Sequence, residues 1–343
     1  VNYPQDMWKR LEDKIATGKI SSVDTSMLLD DAYALVEARE LSVSTLLDLA
    51  YAGSKRKYAN IVSGGSTSDY QAWFDIGYVF NAIEAKMESS SCHDTYKSFV
   101  EAAVTKAIED YNIVESLTRT NAESIEGDFQ YRLLVGSLFS LGVHYGSSGV
   151  EQLAKSSFSN AANVDANIRF SVYKARARSG LEGYGEVLEK YNTAIDADEK
   201  EKLLLALGSV QSADLITRSL DLAMTPVVAS MDVRSFVARI AGSSQLGREM
   251  SWTYLQNNFD ALYEKVNGGT DVSSSRLAKL VSRVCSGFSS DERLAQVKTF
   301  YEKYKKWIPV KTFHKIEENI RTNKMWLERN EKEVCTWEKE NRP

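Results

Sequence analysis

Apolar residues recur along this chain with the period of amphipathic helices, and few segments alternate as strands do. In GREMSWTYLQNNFDALYEKVNGG (247–269), Trp252, Leu255, Phe259, Leu262 and Val266 fall three and four apart and define one buried stripe. Lys265 in the last turn, followed by Asn267-Gly268-Gly269, reads as a helix C-terminus. Extended back by four residues, the stripe lands on Arg248. A charged side chain stands where the pattern asks for an apolar one.

The same period appears elsewhere. SMLLDDAYALVEA (26–38) places Leu28, Leu29, Ala32, Leu35 and Val36 on one face, with Asp24 as its expected N-cap. Residues 70–87 and 94–111 form two further helical segments, separated by an SSSCH turn. Residues 129–146 are more uniformly apolar and are expected to be buried on several sides. Ser289 and Glu292 have capping-box spacing ahead of LAQVKTFY, and a long final helix starts near residue 311. The pattern predicts about fifteen helices joined by short polar links. No strong internal repeat is present, yet the rhythm resembles a HEAT- or armadillo-type array, where each hairpin buries its apolar face against its neighbours. The expected fold is all-α, a curved array of antiparallel helix pairs without an internal domain boundary. A two-lobed helical bundle is the alternative.

Composition narrows the function. The chain has 343 residues, of which 43% are hydrophobic and 26% charged, as in a soluble globular protein. A net charge of −5 argues against a general nucleic-acid binder, which needs clustered cations. Cys92, Cys285 and Cys335 are few and far apart, so no disulfide framework is expected. No Asn-x-Ser/Thr sequon occurs. Both features point to a reducing, cytoplasmic setting. The longest apolar run, LLVGSLFSLGV (133–143), is too short for a membrane span and reads as a core helix. The start at Val1, without Met or a signal-peptide pattern, reads as a piece of a longer polypeptide.

The search for chemistry finds little. His93, His144 and His314 lie outside any HExxH motif and have no metal-ligand spacing. Cys92-His93-Asp94 has the residue types of a thiol triad, but a triad needs groups from separate segments. An ordinary surface turn is the better reading. GLEGYGE (180–186) lacks the third glycine of a dinucleotide loop, and no strand precedes it. The neighbours Asp30 and Asp31 diverge on a helix and cannot converge on one substrate. KTFYEKYKKWIPVKTFHK (298–315) interleaves six lysines with aromatics. It reads as a solvated face with lysine stems on rings, or else as a patch for an acidic partner. Trp326 and Trp337 are expected core anchors.

One resemblance carries further. Gly247, Arg248, Trp252, Asn258, Leu262, Tyr263, Gly268 and Gly269 resemble a signature of the C-terminal helical domain of M1 zinc aminopeptidases. Phe259 stands where that family usually has a second Trp, which keeps the aromatic packing. Other blocks agree in order: VNYPQDMWKRL (1–11), LLDDAYALVEARELS (28–42), DANIRFSVYKARARSG (165–180), residues 275–302 and residues 318–340. Between about 55 and 160 the match is in pattern only. The puromycin-sensitive, cytosolic type looks closest. The resemblance implies that residues 1–10 end a preceding β-sandwich or linker and that 11–343 form one C-terminal α-helical domain.

It also implies an absence. The family's zinc ligands, its general-base Glu and its amine-holding motif precede this region. The chain would then carry no catalytic residue, metal or cofactor, with Zn in the parent's catalytic domain. Its expected role is the lid and wall of a peptide cleft, with partners in the upstream catalytic and β-sandwich domains and in peptide substrate. Arg248, together with Arg169 and Tyr173 of the 165–180 helix, are the candidates for facing that cleft or another domain. The competing reading pairs each arginine internally. Two other functions are compatible with the sequence: a free-standing helical scaffold using the lysine run, and a hydrolase using Cys92 or His144.

Overall fold

A computed structural model of the chain describes residues 1–56, 69–127, 129–267 and 275–341. Among the described residues there are seventeen α-helices and no strand. Contacts group the chain into two compact units, Val1–Val172 with Asn330–Pro343, and Tyr173–Arg329.

The first unit holds α1 (Gln5–Ala16), α2 (Ser22–Glu37), α3 (Val43–Ser54) and α4 (Tyr70–Lys86). It continues with α5 (His93–Asp110), α6 (Ile113–Arg119), α7 (Phe129–Tyr145) and α8 (Ser148–Ser157). Helices α1, α3, α5 and α7 pack in succession as one row, while α2 packs on α4 and α6 on α8. Helices α2 to α8 thus each meet a second neighbour as well as a first, which is how stacked helical hairpins share a core. Helix α9 (Ala166–Arg178) passes into the second unit. There follow α10 (Leu181–Thr193), α11 (Ala197–Leu207), α12 (Ala213–Met224) and α13 (Val233–Ala241). Then come α14 (Gln245–Asn267), α15 (Ser275–Val284), α16 (Asp291–Tyr304) and α17 (Val310–Glu340). Here α11, α13 and α15 form one row and α12 packs on α14.

The all-helical array expected from the period is present in each unit. Helix α6 has only 7 residues, too few to display a period. Helix α3 buries nine of its 12 residues and leaves only the narrow face of Ser44, Asp48 and Tyr51 part-exposed. Helix α1 begins at Gln5, so only Val1–Pro4 of the expected β-sandwich end or linker is non-helical.

Two caps fall beside their expected positions. Helix α2 is capped by Ser21, whose Oγ accepts the Asp24 N–H at 3.0 Å, rather than by Asp24 itself. Helix α16 is capped by Ser290, which accepts the Arg293 N–H at 3.2 Å, rather than by Ser289. In both cases a serine hydroxyl at the preceding extended residue reaches the third N–H of the helix. Helix α14 ends at Asn267 as expected; Gly268 and Gly269 lie outside the described residues. It is broken at Asn258 (φ −125°, ψ 16°), where the Asn258 side chain donates to the Tyr254 carbonyl at 3.1 Å.

The expectation of no disulfide is overturned. Cys92 and Cys335 are bonded, 243 residues apart in sequence and 5.8 Å apart at Cα. Spacing along the chain does not reveal that residues 330–341 return to the first unit. Polar contacts surround the bond. Ser90 donates to Glu331 at 2.6 Å, and the Ser44 hydroxyl to Glu333 at 2.6 Å. Trp337 donates its indole N–H to Asp48 at 2.7 Å and packs edge-on against Phe99 and Tyr51. Burial pushes the Asp48 carboxyl up, and the Trp337 hydrogen bond partly offsets this. Trp337 is therefore an anchor of the first unit. Cys285, the third cysteine, is free and buried.

Removing the bond by Cys92→Ser/Cys335→Ser is expected to lower stability by about 2–4 kcal/mol, measured by denaturant titration. Peptide mapping without reductant should recover Cys92 and Cys335 as one cross-linked pair.

Candidate functional site

The Gly-Arg pair opening α14 has a structural reason. Ser244 Oγ accepts the Gly247 N–H at 3.0 Å and starts the helix. Gly247 is buried against the end of α13, and a Cβ there would strike the carbonyl oxygen of Ile240. Only glycine allows this approach. The next residue, Arg248, is 8% exposed and donates from Nη1 to the Val284 carbonyl and to Ser286 Oγ, both at 3.4 Å. Val284 is the last residue of α15, where carbonyls have no intrahelical partner. The cation on the apolar stripe supplies a donor to that helix end.

The same solution recurs in the second unit. Arg178 Nε donates to the Ser209 carbonyl beyond α11 at 2.7 Å. Gln211 donates to the Ser243 carbonyl beyond α13 at 3.1 Å. Lys265 Nζ donates to the Thr225 and Val228 carbonyls beyond α12 at 2.7 and 2.9 Å. Asn323 donates to the Ser286 and Phe288 carbonyls beyond α15 at 2.8 and 3.1 Å. The stripe after Arg248 packs as its pattern implied. Trp252 meets Phe288 and Phe300, and Phe259 meets Phe300 and Tyr304.

The other two sequence candidates are engaged locally. Arg169 directs Nε and Nη2 to the Val164 carbonyl at 3.1 and 2.8 Å. Tyr173 is fully buried and donates its hydroxyl to Glu199. Arg248, by contrast, lines a cavity of about 260 Å³ with Arg239, Arg283, Ser235 and Ser286, and no carboxylate lines it. Arg239 is held by Ser209 Oγ at 2.7 Å, and burial pushes its pKa below the usual arginine value. Neither Arg239 nor Arg283 stood out in the sequence. The available signal was that each sits in the last turn of its helix, in VARIAG and VSRVC. A second cavity of about 280 Å³ lies at the Asn258 break, walled by Leu220, Met250, Thr253 and Tyr254.

Elsewhere the chemistry is structural. The Cys92 sulfur is in the disulfide, so Cys92-His93-Asp94 is no thiol triad. Two of the three histidines approach one carboxylate: His144 Nε2 lies 3.1 Å and His93 Nε2 3.8 Å from Glu84, with Lys97 at 3.9 Å. Burial alone would raise the Glu84 pKa; the His144 hydrogen bond and the charges of His144 and Lys97 hold it below the ordinary value. Among the described residues, no three His, Cys, Asp or Glu side chains are grouped to hold a metal ion. No helix of the described residues is long and apolar enough to cross a membrane. In GLEGYGE, Gly180 (φ +119°) makes the turn between α9 and α10, and a Cβ on Gly183 would strike the Arg176 carbonyl. Those glycines serve a helix–helix turn. In the lysine run, Lys298 pairs with Glu317 at 3.3 Å, and Lys303 and Lys306 lie over the rings of Tyr304 and Trp307.

The helical array and the Gly247–Arg248 junction place the chain in a class. The model of the ERAP1-like C-terminal domain family matches residues 1–322, and the chain belongs to that family. It is 24% identical over 347 residues to glutamyl aminopeptidase of Rattus norvegicus and 26% over 355 residues to that of Homo sapiens. It is 23% identical over 347 residues to aminopeptidase N of Oryctolagus cuniculus. Each alignment covers 98% of this chain but 34% of the relative, so the chain spans about a third of these curated relatives' length.

Two outcomes test the geometry. Gly247→Ala and Arg248→Ala should each cost about 1–3 kcal/mol in urea unfolding, from backbone displacement and from an unsatisfied carbonyl respectively. Glu84 has a depressed folded pKa, so its contribution is full above its ordinary value of 4.5 and is lost as pH falls through the lower folded value. Glu84→Gln should therefore flatten the acid limb of a plot of Tm against pH.

Proposed function

We propose that the chain is the non-catalytic C-terminal domain of an M1 zinc aminopeptidase. The observation that carries this reading is the family match over residues 1–322, with aminopeptidase relatives about three times as long. The parent enzyme would hydrolyse N-terminal residues from peptides. Its Zn²⁺ would sit in the upstream catalytic domain and lower the pKa of a bound water. This chain would form the lid and wall of the peptide cleft and pack on the upstream catalytic and β-sandwich domains.

Arg248, Arg169 and Tyr173 are the positions proposed to face the cleft or another domain; Arg248 also lines a cavity, while Arg169 bonds the Val164 carbonyl and Tyr173 the Glu199 carboxylate. The Cys92–Cys335 bond favours an oxidising compartment over the cytoplasm, and so argues against the cytosolic, puromycin-sensitive type.

The pure chain, replete with metal, should neither turn over an aminoacyl-coumarin substrate nor retain stoichiometric zinc by elemental analysis. Turnover by the chain alone would overturn the assignment. The free-standing scaffold reading is excluded if the same gene encodes an upstream HExxH segment.

A further inference from the structure

We infer that the solvent-facing side of α2 and α4 in the first unit is a docking surface for a basic amphipathic helix of a partner protein. The two helices pack side by side. Ser22 Oγ accepts the Ala72 N–H at 3.0 Å, Ser26 donates to the Asp75 carboxylate, and Tyr33 meets Tyr78 edge-on at 5.3 Å. These contacts advance together along both helices, so α2 and α4 run in the same direction. On α2, Val23 and Met27 each follow a contact serine by one residue, about 100° around the helix. On α4, Phe74 precedes Asp75 by one residue, about 100° in the opposite sense, and Tyr78 continues its stripe four residues on. Opposite rotations on facing parallel helices lead to the same side of the pair.

Val23, Met27, Phe74 and Tyr78 are between 52% and 63% exposed. Large apolar side chains gathered on one open face mark an interaction surface, whereas single ones scattered over a protein do not. Carboxylates stand between the two stripes. Asp30 lies one turn beyond Ser26 on α2, and Asp75 faces it from α4. Burial pushes the Asp75 carboxyl up, the Ser26 hydrogen bond opposes this, and the charge of Asp30 adds to the rise. Among the described residues no Lys or Arg pairs with either aspartate. Together α2 and α4 carry six carboxylates and a single lysine, Lys86, which pairs with Glu37 at 3.0 Å. That excess equals the net charge of the whole chain, −5.

The pattern selects the occupant. A helix with an apolar face flanked by Lys or Arg buries the two stripes and brings a cation to Asp30 and Asp75, which relieves the repulsion between them. A second copy of this chain, paired face to face, would instead set the same carboxylates against each other.

The test is calorimetric titration of the intact chain with three capped peptides of about 15 residues, the length at which isolated helices become marginally stable. The first is a Leu/Lys amphipathic helix. The second carries Glu in place of Lys, and the third scrambles the first so that no apolar face remains. Saturable binding of the first alone is expected, weakening as salt is raised. Met27→Ser/Phe74→Ser and, independently, Asp30→Asn/Asp75→Asn should each weaken it by about tenfold or more, with the far-UV circular dichroism of the chain unchanged. Glu189→Gln/Glu201→Gln, which removes two exposed carboxylates of the second unit, should leave it unchanged. Equal binding of the acidic or the scrambled peptide overturns the inference. So does an affinity insensitive to either outward-facing pair, an equal loss in the second-unit pair, or no saturable binding at all. A dimer in sedimentation that Met27→Ser/Phe74→Ser dissociates also overturns it, because a second copy would then cover the face.

Discussion

An α-helix leaves its last carbonyls without partners, and a chain with seventeen helices among its described residues must find donors for many such ends. In the second unit side chains from elsewhere in the unit supply donors there. Arg178, Gln211, Arg248, Lys265 and Asn323 each reach a carbonyl at or just beyond the end of another helix. Burying such a carbonyl without a partner would cost about 1–3 kcal/mol, so these side chains govern which helix ends can be packed inside. Each donor also ties a hairpin to one further along the chain. Local caps alone, such as Ser21 and Ser290, leave neighbouring hairpins unlinked.

The same requirement creates the electrostatic character of the cavity. An arginine recruited to a helix end brings a full positive charge with it. Where α13, α14 and α15 come together, Arg248 shares one small space with Arg239 and Arg283. Gly247 makes this possible, because α14 could not otherwise lie against the Ile240 carbonyl and aim Arg248 at α15.

The first unit solves a different problem, the return of the last segment of the chain. Glu331, Glu333, Cys335 and Trp337 project from one stretch of α17 onto α3 and the α4–α5 turn. Their partners lie more than 240 residues earlier, so the cost of closing the loop is large and must be met by several contacts at once. A disulfide, charge-assisted hydrogen bonds and an aromatic cluster act together there.

Helical period was legible throughout, because each helix buries one face and the 3.6-residue repeat records that face directly. The Trp252–Val266 stripe and the tryptophan anchor at 337 needed no structure to be found. Helix α3, with nine of its 12 residues buried and only a narrow polar face to mark its period, was less visible. The family resemblance also rested on sequence, since Gly247, Arg248 and Trp252 carry it as local words. What the sequence could not hold was any relation between distant positions. The Cys92–Cys335 bond, the pairing of Arg248 with the end of α15, and the meeting of Arg239 with Arg283 all depend on which helices pack together. Period tells which face of a helix is buried, but not what it is buried against. That partner is chosen by the packing of the whole unit, and only the tertiary structure decides it.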